Sequence, residues 1–330
     1  MPDAQFTADL DRYGPQAAPF SGDVDAAYAY CRSLARRHYE NFAVTGFLIP
    51  RTLRKHFHAV YAYCRWSDDL ADEVESPERA TELLAWWGNM LERCVAERPT
   101  HPVFLALAET IRTFEIPLQP FRDLLTAFRQ DQTRKRYETI NELREYCRGS
   151  ADPVGRIVLH LFQAYDERNA ALSDLVCTGL QWVNFCQDVR RDLEDRDRIY
   201  LPREAWNSHA VHDEAEFRAA HASPALCALV LAETERAEVW LREGLALIPR
   251  LPRALGRTID SDRRRRLGRL RGDSTRRRRR ADGATEVEQT DQALRWLRAS
   301  GCVGCSGWNV DTERGVWKEP KCANRSPTPW

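Results

Sequence analysis

The chain has no run of about 18 apolar residues, the length a helix needs to cross a bilayer core, so no membrane-spanning helix is expected. It has no net charge either. Its 49 acidic residues offset 49 basic ones among 330, which gives no global reason to expect a polyanion as partner, and no nucleic acid is expected. Strand-like alternation, hairpin signals and internal repeats are missing, which leaves an all-α fold as the expectation. The first 20 residues lack a basic stretch followed by an apolar one, so no secretory signal is expected and the cytoplasm is the expected location. Paired cysteines are scarce as well. Of ten cysteines, Cys31, Cys64, Cys94, Cys147, Cys177, Cys186 and Cys227 stand singly inside helical patterns, as small buried side chains in a reducing compartment would. Cys302 and Cys305 form one CxxC, a weak zinc signal without a second ligand pair.

What is present is helical periodicity, from Asp23 to about Leu251. Residues 1–22, rich in Pro, Gly, Asp and Gln, read as a loose arm. The core is 23–255, and 256–330 is an atypical basic tail. Asp23 caps a helix through Tyr39. Pro50-Arg51-Thr52 opens one running to about Glu75, and Ser76-Pro77-Glu78 opens the next with Pro at the first helical position. Further helices fit 101–114, 118–132, 139–148, 152–166, 168–194 and 213–248. Together they predict a single helical bundle.

Two carboxylate clusters carry chemistry. In the first, Asp68 and Asp72 are four apart and share a helix face, and Arg65 joins it from one turn earlier. Two carboxylates beside apolar residues repel each other unless a cation intervenes. Mg²⁺ suits them, because it accepts one or two carboxylates and completes its shell with water and phosphate oxygens. An arginine beside them supplies forked donors to the same phosphate. In the second cluster Asn184, Asp188 and Asp192 follow at intervals of four, an oxygen-ligand stripe two turns long. Asn184 lies among Trp182, Val183 and Phe185, where an unpaired amide would be costly. Each cluster alone also fits a solvated acidic face or an amphipathic helix with polar edges. Facing each other across a bundle, the two would hold several Mg²⁺ ions and a diphosphate.

DDLADE at 68–73 and NFCQDVRRD at 184–192, followed by RIYLP at 198–202, resemble the two aspartate-rich motifs of squalene and phytoene synthases. HYENFAV at 38–44 and YCRGSADPVGR at 146–156 resemble the hydroxysqualene synthase branch, with Ala43 where that branch usually has Pro. The resemblance covers roughly 23–255. It implies one isoprenoid-synthase-type helical bundle with a deep, central apolar cavity. It places Asp68, Asp72, Asn184, Asp188 and Asp192 at metal positions. Arg37, His38 and Arg65 match positions that help hold diphosphate, Gln181 a polar position beside the second motif, and Tyr146 a wall position near the reacting carbons. The implied reaction is Mg²⁺-dependent ionisation of presqualene diphosphate, rearrangement of the cation and capture by water to give hydroxysqualene. Transient contact with a membrane surface follows from a greasy substrate and product. Two alternatives stand beside it. One is head-to-head condensation of two prenyl diphosphates. The other is a non-catalytic assembly factor on the same fold, against which the five intact metal-motif residues speak.

After about Leu255 the pattern breaks. Arginines crowd 263–280 and helical amphipathicity disappears. A basic arm for anionic lipid or nucleic acid, or a plain unfolded tail, would look like this. A frameshift accounts for more. Shifted forward by one nucleotide, the codons of Thr285 to Gln292 can read PKLSKRTK, and those of Arg266 to Arg276 can read GLAVFEAIRR. Both resemble the family's last helices, GGLAxLxxI followed by RPxLSKxxK, in the right order. On that reading the CxxC at 302–305 is an accident of frame.

Overall fold

The computed structural model describes residues 4–37, 49–219, 221–252 and 255–256, and two short strands near the end of the chain. His38, the HYENFAV motif from that residue onward, the arginines of 263–280 and the Cys302/Cys305 pair lie outside the described residues. The helices are α1 (Ala4–Tyr13), α2 (Val24–Arg37), α3 (Arg54–Asp72), α4 (Pro77–Arg93), α5 (Pro102–Phe114), α6 (Gln119–Thr133), α7 (Ile140–Ser150), α8 (Asp152–Leu161), α9 (Glu167–Gln187), α10 (Val189–Arg196), α11 (Arg203–Ser208), α12 (Ala215–Arg218) and α13 (Pro224–Gly244). A 3₁₀ turn, Leu245–Arg250, follows α13. The all-α expectation holds, with one small addition. Asn309–Asp311 and Val316–Lys318 pair antiparallel, Val310 opposite Trp317.

Helix starts follow local chemistry. Asp23 accepts from the Ala26 N–H at 2.8 Å, and Ser76 accepts from Arg79 at 3.2 Å with Pro77 behind it. Three expectations need correction. The arm at 1–22 is partly a helix: α1 buries Phe6 edge-on against Trp66, and Asp9 accepts from Tyr30. Farther along, the Phe20 N–H donates to the Thr100 carbonyl at 2.8 Å. Phe6, Leu10 and Tyr13 repeat at helical spacing, a face masked by the Pro- and Gly-rich residues after it. The helix expected over 213–248 is two, because Ser223 caps a new start at Pro224, and a proline in an α-helix interior would remove a backbone hydrogen bond and clash with the preceding turn. The helix expected over 168–194 breaks at Asp188 (φ −105°, ψ 14°).

The core has two halves. One packs α2, α3 and α5 around aromatic rings. Trp66 stacks on Trp87 at 5.2 Å and 11°, and the Trp87 indole N–H donates to the Ser67 hydroxyl at 3.0 Å. The other packs α9 against α13 at close range. A Cβ on Gly179 would meet Leu241 Cγ at 2.8 Å, and one on Gly244 would meet Val176 Cγ2 at 2.6 Å. One small residue from each helix therefore lets the two backbones approach, which holds α9, the carrier of the second motif, against the body of the bundle. The seven cysteines expected to be buried and unpaired are so. Among the described residues no helix is long and apolar enough to cross a membrane.

His101 caps α5: its Nδ1 accepts from the Val103 N–H at 3.1 Å, and the rings of Trp66, Trp87 and Tyr13 meet its own edge-on. Burial pushes its pKa down from 6.5 to about 3, so the folded state holds it neutral. The unfolded chain protonates it below about 6.5. Its neutral form therefore favours folding fully above that pH, and stability is lost as pH falls from there toward 3. We expect the unfolding free energy of the wild type to fall more steeply between pH 6.5 and 4 than that of His101→Asn, by up to about 1.4 kcal/mol per pH unit. Urea titrations across that range test this, and parallel slopes would refute it.

Candidate active site

The first motif sits on the last turn and a half of α3. Asp68 and Asp72 face a narrow cleft, which Asn184 and Gln181 of α9 and Asp192 of α10 also line. The two motifs thus meet across the bundle, from helices more than a hundred residues apart in the chain. Aromatic side chains share the lining with the carboxylates. Phe185 stacks on Tyr200 at 4.2 Å and 17°, with Tyr146 and Phe128 beside them. Charged side chains and aromatic rings line the same cleft, a combination that suits an ionic head carried on a hydrocarbon body.

Burial pushes the Asp68 carboxyl up, with repulsion from Asp72 adding to it, and Arg65 pulls the other way. Burial also holds Asp192 well above the usual carboxylate range, with repulsion from Asp188 adding. Burial raises Asp131, at the end of α6, to about 6, against the pull of Arg198. Asp131 accepts the Tyr146 hydroxyl proton at 2.8 Å through Oδ2, while its buried Oδ1 has no partner among the described residues. Oxygen donors raised by burial and mutual repulsion, with one orphaned oxygen, are the donor type a hard cation takes, although among the described residues no three acidic side chains are gathered closely enough to hold one ion as they stand.

The break at Asp188 changes the expected stripe. Asn184 and Asp192 line the cleft, whereas Asp188 ends α9 and starts α10 at the joint between them, its N–H on the Asn184 carbonyl at 2.8 Å. The backbone bonds continue through the joint, with the Asp192 N–H on the Asp188 carbonyl at 2.8 Å, while the Asp188 backbone leaves helical values (φ −105°, ψ 14°). Arg65 is also placed differently from the expectation that it presents its fork to a phosphate. Its guanidinium forks onto Asp69, with Nε on Oδ2 at 3.0 Å, and reaches Asp68 only at 3.6 Å. Asp69 lies one turn ahead of Arg65 on the same face and takes the donors. Arg37 pairs with Asp9 of α1 and does not line the cleft.

Two cations that the sequence did not single out do line it. Arg196 meets Asp72 at 2.7 Å, and the buried Arg198 meets the other oxygen of Asp72 at 3.3 Å. Between them Asp197 adopts left-handed backbone (φ 51°), ending α10 so that both side chains turn to the same side. The signal was present in RIYLP, which begins with Arg198. Nothing in the spacing marked Asp131, whose role depends on α6 ending beside that loop.

The family model described as squalene/phytoene synthase matches residues 35–269. A 15-cis-phytoene synthase from Synechocystis is 32% identical over 207 residues, 59% of this chain and 61% of that protein, so the chain spans about three fifths of this relative. A hydroxysqualene synthase from Sinorhizobium fredii is 34% identical over 66% of this chain and 73% of its own length. Among solved structures, squalene synthase HpnC from Alicyclobacillus acidocaldarius superposes with a TM-score of 0.71 at 39% identity, covering 77% of this chain and 95% of that one.

Proposed function

Because the chain belongs to the squalene/phytoene synthase family, we propose that it converts presqualene diphosphate to hydroxysqualene and releases diphosphate. The observation that supports this most is the cleft itself, lined by carboxylates of both motifs, two arginines and aromatic rings. The motifs at 38–44 and 146–156, which resemble the hydroxysqualene branch, favour this substrate over two separate prenyl diphosphates.

Asp68, Asp72, Asn184 and Asp192, with Asp188 at the joint, would hold Mg²⁺, which when bound neutralises the diphosphate and eases its departure. The protein's own groups do the rest. Arg196 and Arg198, paired to Asp72 in the described state, exchange that partner for diphosphate oxygens as a ligand enters. Their fixed charges stabilise the negative charge that grows as the C–O bond breaks. Phe185, Tyr200 and Tyr146, which line the cleft, shield the cation from bulk water until a single water molecule captures it, forming the C–O bond of the product's hydroxyl and losing one proton to solvent. Asp131 orients the Tyr146 hydroxyl from behind.

A second reading is head-to-head condensation of two prenyl diphosphates, which the 32% identity to a phytoene synthase favours. Feeding presqualene diphosphate and farnesyl diphosphate separately distinguishes the two. Hydroxysqualene formed from the first alone is the expected result. Presqualene diphosphate or a C30 product accumulating from the second would overturn it. The assay is run on the chain as written and on one in which a single-nucleotide correction upstream of 266 restores the GLA and LSK segments. Gain of activity only in the corrected chain would support the frameshift reading of the tail.

A further inference from the structure

Arg136 lies outside the cleft, yet its guanidinium has all five N–H donors engaged. Nε and Nη2 fork onto Glu214 at 2.9 and 2.8 Å. Nη1 reaches the Lys135 carbonyl at 2.9 Å and the Asp197 carbonyl, and Nη2 also reaches the Asp197 carboxylate at 3.0 Å. Arg218 meets the same Asp197 oxygen at 3.2 Å, and Arg203 meets Glu214 at 3.0 Å. The segment carrying Arg136 runs beside the loop after α10, held by Ile199 N–H to the Lys135 carbonyl and Arg203 N–H to the Tyr137 carbonyl, both at 3.0 Å. Arg198 then donates to the Asp131 carbonyl at 3.1 Å, joining the clamp to the cleft.

Asp197 is the left-handed residue that turns Arg196 and Arg198 toward the same acceptor. A non-glycine residue resists that backbone, and it persists where its surroundings over-determine it. Arg136 supplies that constraint, gripping both the carbonyl and the carboxylate of Asp197. Resting on the diphosphate reading above, we infer that Arg136 is a positioning residue, and that the Arg136–Asp197–Glu214 clamp pre-organises Arg196 and Arg198 to receive a diphosphate. Arginine is required because five donors in a planar fork span three acceptor residues, which a lysine ammonium cannot do.

The test measures binding of inorganic pyrophosphate in the presence of Mg²⁺ to the full chain by calorimetry. Arg136→Gln is expected to weaken binding on the order of tenfold, as loss of a group supporting direct ligands does. In a background carrying both Arg196→Ala and Arg198→Ala the same substitution should cost less than about twofold, because its effect passes through those two side chains. Unchanged binding in Arg136→Gln, or an equal loss in both backgrounds, would overturn the inference. Should Arg136→Gln not fold, Glu214→Gln carries the same measurement. If the wild type does not bind pyrophosphate, the diphosphate reading fails and the positioning role fails with it. If the wild type binds and only the coupling is missing, the positioning role alone fails.

Discussion

Asp68→Asn should abolish turnover of presqualene diphosphate, lowering kcat by roughly a thousandfold or more, while the protein remains folded. The substitution keeps the shape and removes one charge from a carboxylate that faces both the cleft and Asp72. Burial and the neighbouring carboxylate already disfavour that charge in the free protein. An amide there relieves repulsion, so the variant is expected to melt no lower than the wild type. Loss of activity with unchanged or raised stability marks a charge kept for a ligand rather than for the fold. Near-normal turnover would remove Asp68 from the metal assignment, and a large drop in melting temperature would mean that the carboxylate is structural.

Trp87→Ala should destabilise the fold by about 3–5 kcal/mol, a large share of the roughly 5–15 kcal/mol that holds a typical protein together. The ring is fully buried and packs on Trp66, Tyr63 and Phe104, and its N–H holds Ser67. Removing it opens a cavity that rigid aromatic neighbours cannot fill. Ser67 is the residue before Asp68, so this cluster also braces the helix turn that carries the first motif. Ser67→Ala, which removes only the hydrogen bond, should cost about 1 kcal/mol. Denaturant unfolding of both variants separates the packing contribution from the hydrogen bond. Equal losses would place the effect in the hydrogen bond alone.

Much of the bundle was legible because its signals are local. Ser76-Pro77, Asp23 and the spacing of apolar residues act within a turn or two, and the structure keeps those starts to within a few residues. The geometry was open where a local pattern had two solutions. An acidic spacing of four looks the same along one straight helix as across the break at Asp188. Arg65 has acids at both i+3 and i+4, and only packing makes Asp69 the better partner. Residues 4–13 have few apolar positions, and the face they form acquires meaning only once Trp66 and Tyr30 are there to receive it.

The sequence by itself determined the helical class, the two carboxylate motifs, the burial of single cysteines and the family, since periodicity and motif chemistry act at short range along the chain. The tertiary structure alone decided that Asp68 and Asp72 face Asn184 and Asp192. It also decided that Arg37 and Arg65 are engaged elsewhere, and that Arg196, Arg198 and Asp131 complete the cleft. The reason is that each such contact joins helices far apart in sequence. Its geometry is set by how α3, α6, α9 and α10 pack, with Gly179 and Gly244 bringing α9 close to α13, and by one left-handed residue that Arg136 holds in place.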